Sequence, residues 1–171
     1  TTLFRSAIAS FERTLLSGNS PYHQYLFQNK NEAMSPSAKR GMALFFGEKA
    51  KCGSCHEGWL LTNQGYANNG LYLTYSDPGK MRLTGKTEDE AVFKIPSLLN
   101  VALTAPYMFD GSLPDLEAVI DFYSSGGFDH VNKHPSLKPF TLSAGEKEDL
   151  LAFLQSLSDI EFTQKPSLGK P

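Results

Sequence analysis

The chain has 171 residues, 16 Lys and Arg against 18 Asp and Glu for a formal net charge of -2, and two cysteines. So balanced a charge leaves no electrostatic footprint for nucleic acid or an anionic membrane surface, and no apolar run approaches the roughly 20 residues of a membrane-spanning helix. The length suits one domain built around one core.

Leu3, Phe4, Ile8, Phe11, Leu15 and Leu16 recur at helical spacing until Gly18-Asn19-Ser20-Pro21 stops them, predicting a first amphipathic helix. No secretory leader opens the chain. Ser35 followed by Pro36 predicts a second helix start, with Met42, Leu44, Phe45 and Phe46 as its apolar face and Gly47 as its stop. Met34 and Met42, in or beside this helix, are expected in the core.

The next five residues are Cys52-Gly53-Ser54-Cys55-His56, the C-x-x-C-H pattern that attaches a haem c. Cys52 and Cys55 can each form a thioether to a haem vinyl group, and His56 falls beneath the ring, where its imidazole can bind the iron as proximal ligand. A structural zinc site is the competing reading, but it wants four N or S ligands, and these are the only cysteines. His130 and His134 are the sole distant pair on offer, in a segment that Pro135 marks as loop. A thioredoxin-like dithiol would need a βαβ context that is missing. Haem c is attached outside the cytoplasm, so the expected location is the periplasm or another exported compartment. With no leader present, a processed, trimmed or excised chain is expected.

From Trp59 to Tyr107 no period is sustained while Gly, Asn, Asp and Pro recur, predicting a long irregular segment that a haem face would order. Met108 lies in the turn-rich run Ala105 to Gly111, where a ligand loop could cross the distal face as a soft thioether donor. Met81, in another loop, is less well framed. Ser112 to Tyr123 predicts a helix with Pro114 and Asp115 in its first turn, then Leu116, Val119, Ile120 and Tyr123, stopped by Gly126-Gly127. Ser143-Ala144-Gly145-Glu146 is a capping box leading into Leu150, Leu151, Phe153, Leu154 and Leu157. The proline-rich tail after Asp159 is expected on the surface. The expected fold is therefore mainly α: a cytochrome c-like helical domain wrapped around one covalent haem c, with long irregular loops. It divides into an N-terminal helix and connection (1–34), a haem-binding core (35–159) and a surface tail (160–171).

Phe93-Lys94-Ile95-Pro96-Ser97-Leu98-Leu99-Asn100 through Thr104-Ala105-Pro106-Tyr107-Met108, then Asp110-Gly111-Ser112 and Phe122-Tyr123 to Gly126-Gly127, resembles the bacterial dihaem cytochrome c peroxidase and MauG-like family. The stretches Ala9 to Leu15, Ser17 to Pro21 and Gly41 to Phe45 are similar to it as well. The match runs over nearly the whole chain, but to the second half of such proteins only. The resemblance implies the C-terminal domain, which takes in or stores an electron or oxidising equivalent for a separate peroxide-reactive haem domain. A second haem c domain and a small redox protein are the implied partners.

By the same resemblance Tyr123 falls where peroxidases place a distal methionine and MauG-like members a tyrosine. A phenolate is a hard donor that favours ferric iron, so a His56/Tyr123 haem would have a low potential. From its own residues Tyr123 is equally a packed aromatic at helical spacing, and Tyr123 and Met108 compete for the distal position. The family commonly has Arg where this chain has Leu99, and His where it has Phe109, which puts ordinary peroxidase turnover in doubt. Lys94 and Arg82 are left as propionate partners, against a solvated surface role for each. Calcium at the inter-haem boundary is implied through the backbone carbonyls of Thr104 and Pro106. Trp59 is expected to pack beside the ring rather than relay electrons. Two further functions stay open: a free-standing monohaem electron carrier, and a haem-based ligand-binding module with an exchangeable distal site.

Overall fold

A computed structural model describes residues 2–165. Seven helices, α1 Thr2–Glu12, α2 Pro21–Phe27, α3 Pro36–Phe46, α4 Met81–Thr84, α5 Leu116–Ser125, α6 Ala144–Gln155 and α7 Ile160–Thr163, carry the regular structure of the described residues, together with short 3₁₀ turns. Two dipeptide strands, β1 Tyr66–Ala67 and β2 Phe93–Lys94, pair antiparallel with Tyr66 opposite Lys94 and Ala67 opposite Phe93. The fold is mainly α with long irregular loops, as the sequence predicts.

Local chemistry sets the helix starts. Ser20 and Ser35 accept the backbone N–H three residues on, each with proline in the first turn. Ser143 and Glu146 close the predicted capping box in both directions, at 3.2 and 2.8 Å. Asp115 caps α5 from outside, accepting from Ala118 N at 2.8 Å, so the helix begins at Leu116 and not within the Ser112 to Asp115 run. Gly126, left-handed at φ 83°, ends it.

α3 and α6 form the central pair. Their backbones meet at Gly41, where a Cβ would stand 1.8 Å from the Asp149 carbonyl oxygen. Beside this contact Arg40 donates twice to the Asp149 carboxylate, at 2.7 and 2.8 Å, and Ser37 Oγ donates at 2.6 Å. Tyr22, Met34, Ala38, Phe45, Leu61, Leu116, Ile120, Leu150, Phe153, Leu154 and Leu157 build the core around the pair, with Met42 at its edge. Met34 and Met42 therefore pack as expected. Phe153, fully buried, touches the rings of Tyr22, Phe45 and Phe46.

Several expectations shift. α1 stops at Glu12, short of Leu16, because Thr14 Oγ1 takes the Phe11 carbonyl at 2.7 Å and the next amides turn back three residues. No residue of α1 is buried, and its apolar stripe (Leu3, Phe4, Ile8, Phe11) faces outward. Met81 heads α4 instead of lying in a loop. Residues 160–163 of the expected tail form α7, capped by Asp159; residues 166–171 lie outside the described residues. Asp159 and Asn100 tie the two ends of the chain together. Asp159 accepts from the Gly18 and Asn19 amides at 3.1 and 2.8 Å, and Asn100 Nδ2 donates to Ser17 Oγ at 2.9 Å.

Candidate functional site

The five-residue motif begins where α3 ends. Lys51 takes a left-handed turn, and Cys52–Ser54 form one turn of 3₁₀ helix, with the Cys55 and His56 amides both returning to the Cys52 carbonyl at 3.2 and 3.0 Å. Gly53 lies against the Phe46 ring; a Cβ there would sit 2.6 Å from Phe46 Cδ1. Glycine between the two cysteines thus lets the end of α3 press onto the motif.

Residues 57–63 then fold back, with Thr62 N bonding Glu57 O and Asn63 N bonding Cys55 O. This return places the carbonyl of fully buried Leu61 3.0 Å from His56 Nδ1. A carbonyl only accepts, so Nδ1 carries the proton and Nε2 keeps its lone pair. Burial lowers the His56 pKa, with the backbone bonds working against it, so the imidazole is neutral near pH 7. Sequence reasoning missed Leu61, since nothing in a loop leucine announces a carbonyl partner.

Both cysteines are free thiols, and burial pushes Cys52 up to about 11. A redox dithiol or a zinc thiolate needs the opposite shift. Among the described residues no three His, Cys, Asp or Glu side chains gather as a metal site. His130 and His134 instead accept the amides of Asn132 and Ser136. Two thiols at x-x spacing beside a neutral imidazole whose Nδ1 is held by the Leu61 carbonyl fit the attachment of haem c.

The two candidate distal donors converge. Tyr123 lies in the last turn of α5, and Met108 sits left-handed (φ 73°) in a turn between Tyr107 and Leu113, which are bridged to each other. Asn69 Nδ2 lies 3.4 Å from Tyr123 Oη and 3.4 Å from Met108 Sδ. Burial raises the Tyr123 pKa and the thiols of Cys52 and Cys55 add to the rise, whereas the Asn69 bond opposes it. Asn69 had no sequence signal beyond an Asn-Asn-Gly turn.

The remaining candidates have contacts of their own. Arg82 pairs with Asp77 at 2.9 Å on the surface, and Lys94 Nζ donates to the Ile95 carbonyl at 3.1 Å. Thr104 and Pro106 are exposed around a cis Ala105-Pro106 bond, and Thr104 Oγ1 donates to Val101 O. Trp59 packs on His23 and Phe27, with centroids at 4.5 and 4.6 Å. Phe109 stacks on Phe93 at 4.4 Å, with Tyr72 and Tyr75 against it. Leu99, Leu15, Leu16, Trp59 and Leu60 line an apolar groove of about 710 Å³ at the chain's tied ends.

The chain matches no family model. It is 41% identical over 157 residues to the methylamine utilization protein MauG of Methylorubrum extorquens, covering 89% of this chain and 43% of that protein. It is 38% identical over 184 residues to the cytochrome-c peroxidase IdrP1 of Pseudomonas sp. (strain SCT), covering 89% and 48%. The chain therefore spans less than half the length of these relatives. Among solved structures, a MauG-like protein associated with microbial copper homeostasis superposes with a TM-score of 0.90 at 36% identity, over 96% of this chain and 55% of that one.

Proposed function

The chain belongs to the MauG-like dihaem cytochrome c peroxidase family, and from that premise we propose that it is the electron-transfer haem c domain of such an oxidoreductase. In this reading residues 1–171 are one domain, corresponding to the C-terminal half, and a second, peroxide-reactive haem domain is its partner. Haem c is the cofactor the family implies, one group here, supplying a one-electron iron couple when bound. The observation that carries the reading is the meeting of Tyr123 Oη and Met108 Sδ at Asn69, in a chain that also carries the Cys52 to His56 motif.

Cys52 and Cys55 would anchor the ring through thioethers. His56 would bind the iron through Nε2; the Leu61 carbonyl accepts from Nδ1, and an imidazole that donates its Nδ1 proton is the stronger metal donor. Tyr123, the first choice, or Met108, the second, would supply the iron's other protein donor. Buried Phe45 and Leu61, with the Phe46 ring against Gly53, give the motif an apolar border that would limit water at the haem. The unburied stripe of α1 and the groove at Trp59, Leu60 and Leu99 form the apolar face that the partner haem domain would cover. Calcium would use the carbonyls of Thr104 and Pro106 with ligands from that partner. A small redox protein would deliver or accept electrons. Among the described residues no helix is long and apolar enough to cross a membrane; haem c is attached outside the cytoplasm, which supports a periplasmic or otherwise exported location.

The test is peroxide mixing followed by stopped-flow optical spectroscopy of this haem, alone and joined to the complementary haem domain. Electron loss from this haem should be fast only in the joined protein. Equal rates in both would overturn the electron-transfer reading, and rapid ligand exchange at the isolated ferric haem would favour a ligand-binding module instead.

A further inference from the structure

Asn68 and Asn69 are consecutive but do different work. Asn68 is buried and structural: its Nδ2 donates to the Ala91 carbonyl at 2.8 Å and its Oδ1 accepts the Gly70 amide at 2.7 Å. Asn69 uses only its Oδ1 on the backbone, accepting the Leu71 amide at 3.1 Å. That bond settles which way the carboxamide points, because an amide N–H cannot be served by the Nδ2 end. Nδ2, with its two protons, is therefore turned toward Tyr123 Oη and Met108 Sδ, 3.4 Å from each. The two donor atoms lie within twice that distance of each other.

The backbone holds the carboxamide there. Gly127, left-handed just beyond α5, lies so close that a Cβ would stand 2.9 Å from both the Asn69 and Gly70 carbonyl oxygens. The end of the helix that carries Tyr123 is thus docked on the turn that carries Asn69.

Building on the haem assignment above, we infer that Asn69 is a positioning residue for the distal face, holding Tyr123 and Met108 side by side and tilting the iron's choice toward the tyrosine. An N–H donated to a phenolate is charge-assisted, whereas one donated to a thioether is weak. Removing the donor therefore penalises the tyrosine more than the methionine. The ratio of tyrosine-bound to methionine-bound ferric haem should fall by roughly tenfold or more.

The test uses holoprotein carrying Asn69→Leu, Asn69→Asp and Asn69→Leu with Met108→Leu. Asn69→Asp keeps the Oδ1 bond to Leu71 while losing both protons, so it also serves if the leucine variant folds poorly. The two single variants change local charge in different ways, yet both should lose the tyrosinate charge-transfer absorption and gain the methionine-type near-infrared band. The double variant, with the competing thioether gone, should recover the tyrosinate absorption and show no methionine-type band. Single variants with wild-type spectra and wild-type midpoint potential would overturn the inference, as would a wild-type iron bearing neither donor. Pyridine haemochrome on the same samples reads the haem assignment separately: haem covalently present with unchanged distal spectra removes only the role of Asn69, and haem absent from the wild type removes the assignment itself.

Discussion

Gly41 gives a prediction whose sign runs against helix propensity. Replacing a glycine inside an exposed helix by alanine ordinarily stabilises by about 0.5–1 kcal/mol. At position 41 the added methyl would stand 1.8 Å from the Asp149 carbonyl oxygen, 2.5 Å from its carbon and 2.9 Å from Phe153 Cβ. Two of these atoms are backbone, so no rotamer change relieves them; α3 and α6 must separate. Overpacking of this kind costs about 1–3 kcal/mol, and with rigid neighbours the upper part of that range applies, leaving a net loss of about 2 kcal/mol. For a chain of this length that is a fall of about 4–8 °C in midpoint. Gly145, in the first turn of α6, is the control, since a Cβ there meets nothing within 4 Å. Thermal unfolding followed by far-ultraviolet circular dichroism should place Gly41→Ala below wild type and Gly145→Ala at or above it. A Gly41→Ala protein as stable as Gly145→Ala would refute the close packing of the central helices.

Phe153→Ala would open a cavity among Tyr22, Phe45 and Phe46 and should cost about 3–5 kcal/mol by urea denaturation; a loss under about 1 kcal/mol would contradict its place in the core. The Arg40 guanidinium, aided by Ser37, holds the Asp149 carboxyl below the usual range. Its stabilising contribution is accordingly complete above the unfolded value of about 3.9 and disappears as pH falls through the folded one. Denaturant midpoints of wild type and Asp149→Asn should therefore differ at pH 6–8 and converge in acid, and a gap that widens in acid would count against the pairing. Cys55→Ala should keep haem through a single thioether, seen as a displaced pyridine haemochrome band, while loss of all haem would show that Cys52 alone cannot anchor it.

What could be read from the sequence was whatever is written in neighbouring residues. Ser143 and Glu146 announce α6, Ser35-Pro36 announces α3, and Cys52 to His56 announce their chemistry within five positions. Tyr123 was reachable only through resemblance, because at helical spacing it looks like any packed aromatic. Asn69 and the Leu61 carbonyl were out of reach. Asn69 meets Met108 and Tyr123 across 39 and 54 positions, and such contacts leave no period in the chain. The early stop of α1 was missed for a different reason: the apolar spacing continues past Glu12, but the Thr14 hydroxyl diverts a helix carbonyl.

The pairing of α3 with α6 also sets a kinetic order. Arg40 and Asp149 are 109 positions apart, so docking these helices closes a loop that contains the haem motif, the Asn69 turn, Met108 and Tyr123. Closing a flexible loop of that length costs about 4 kcal/mol of chain entropy before any contact between the helices repays it, and folding governed by such distant contacts is slow. Until the ring closes, the cysteine thiols remain on an open chain that an attaching enzyme can reach. Covalent attachment ties the ring to Cys52 and Cys55 alone, three positions apart, so the loop would shorten only when a donor from its far side, Tyr123 or Met108, binds the iron; ligation before closure would then speed the fold that encloses the cofactor.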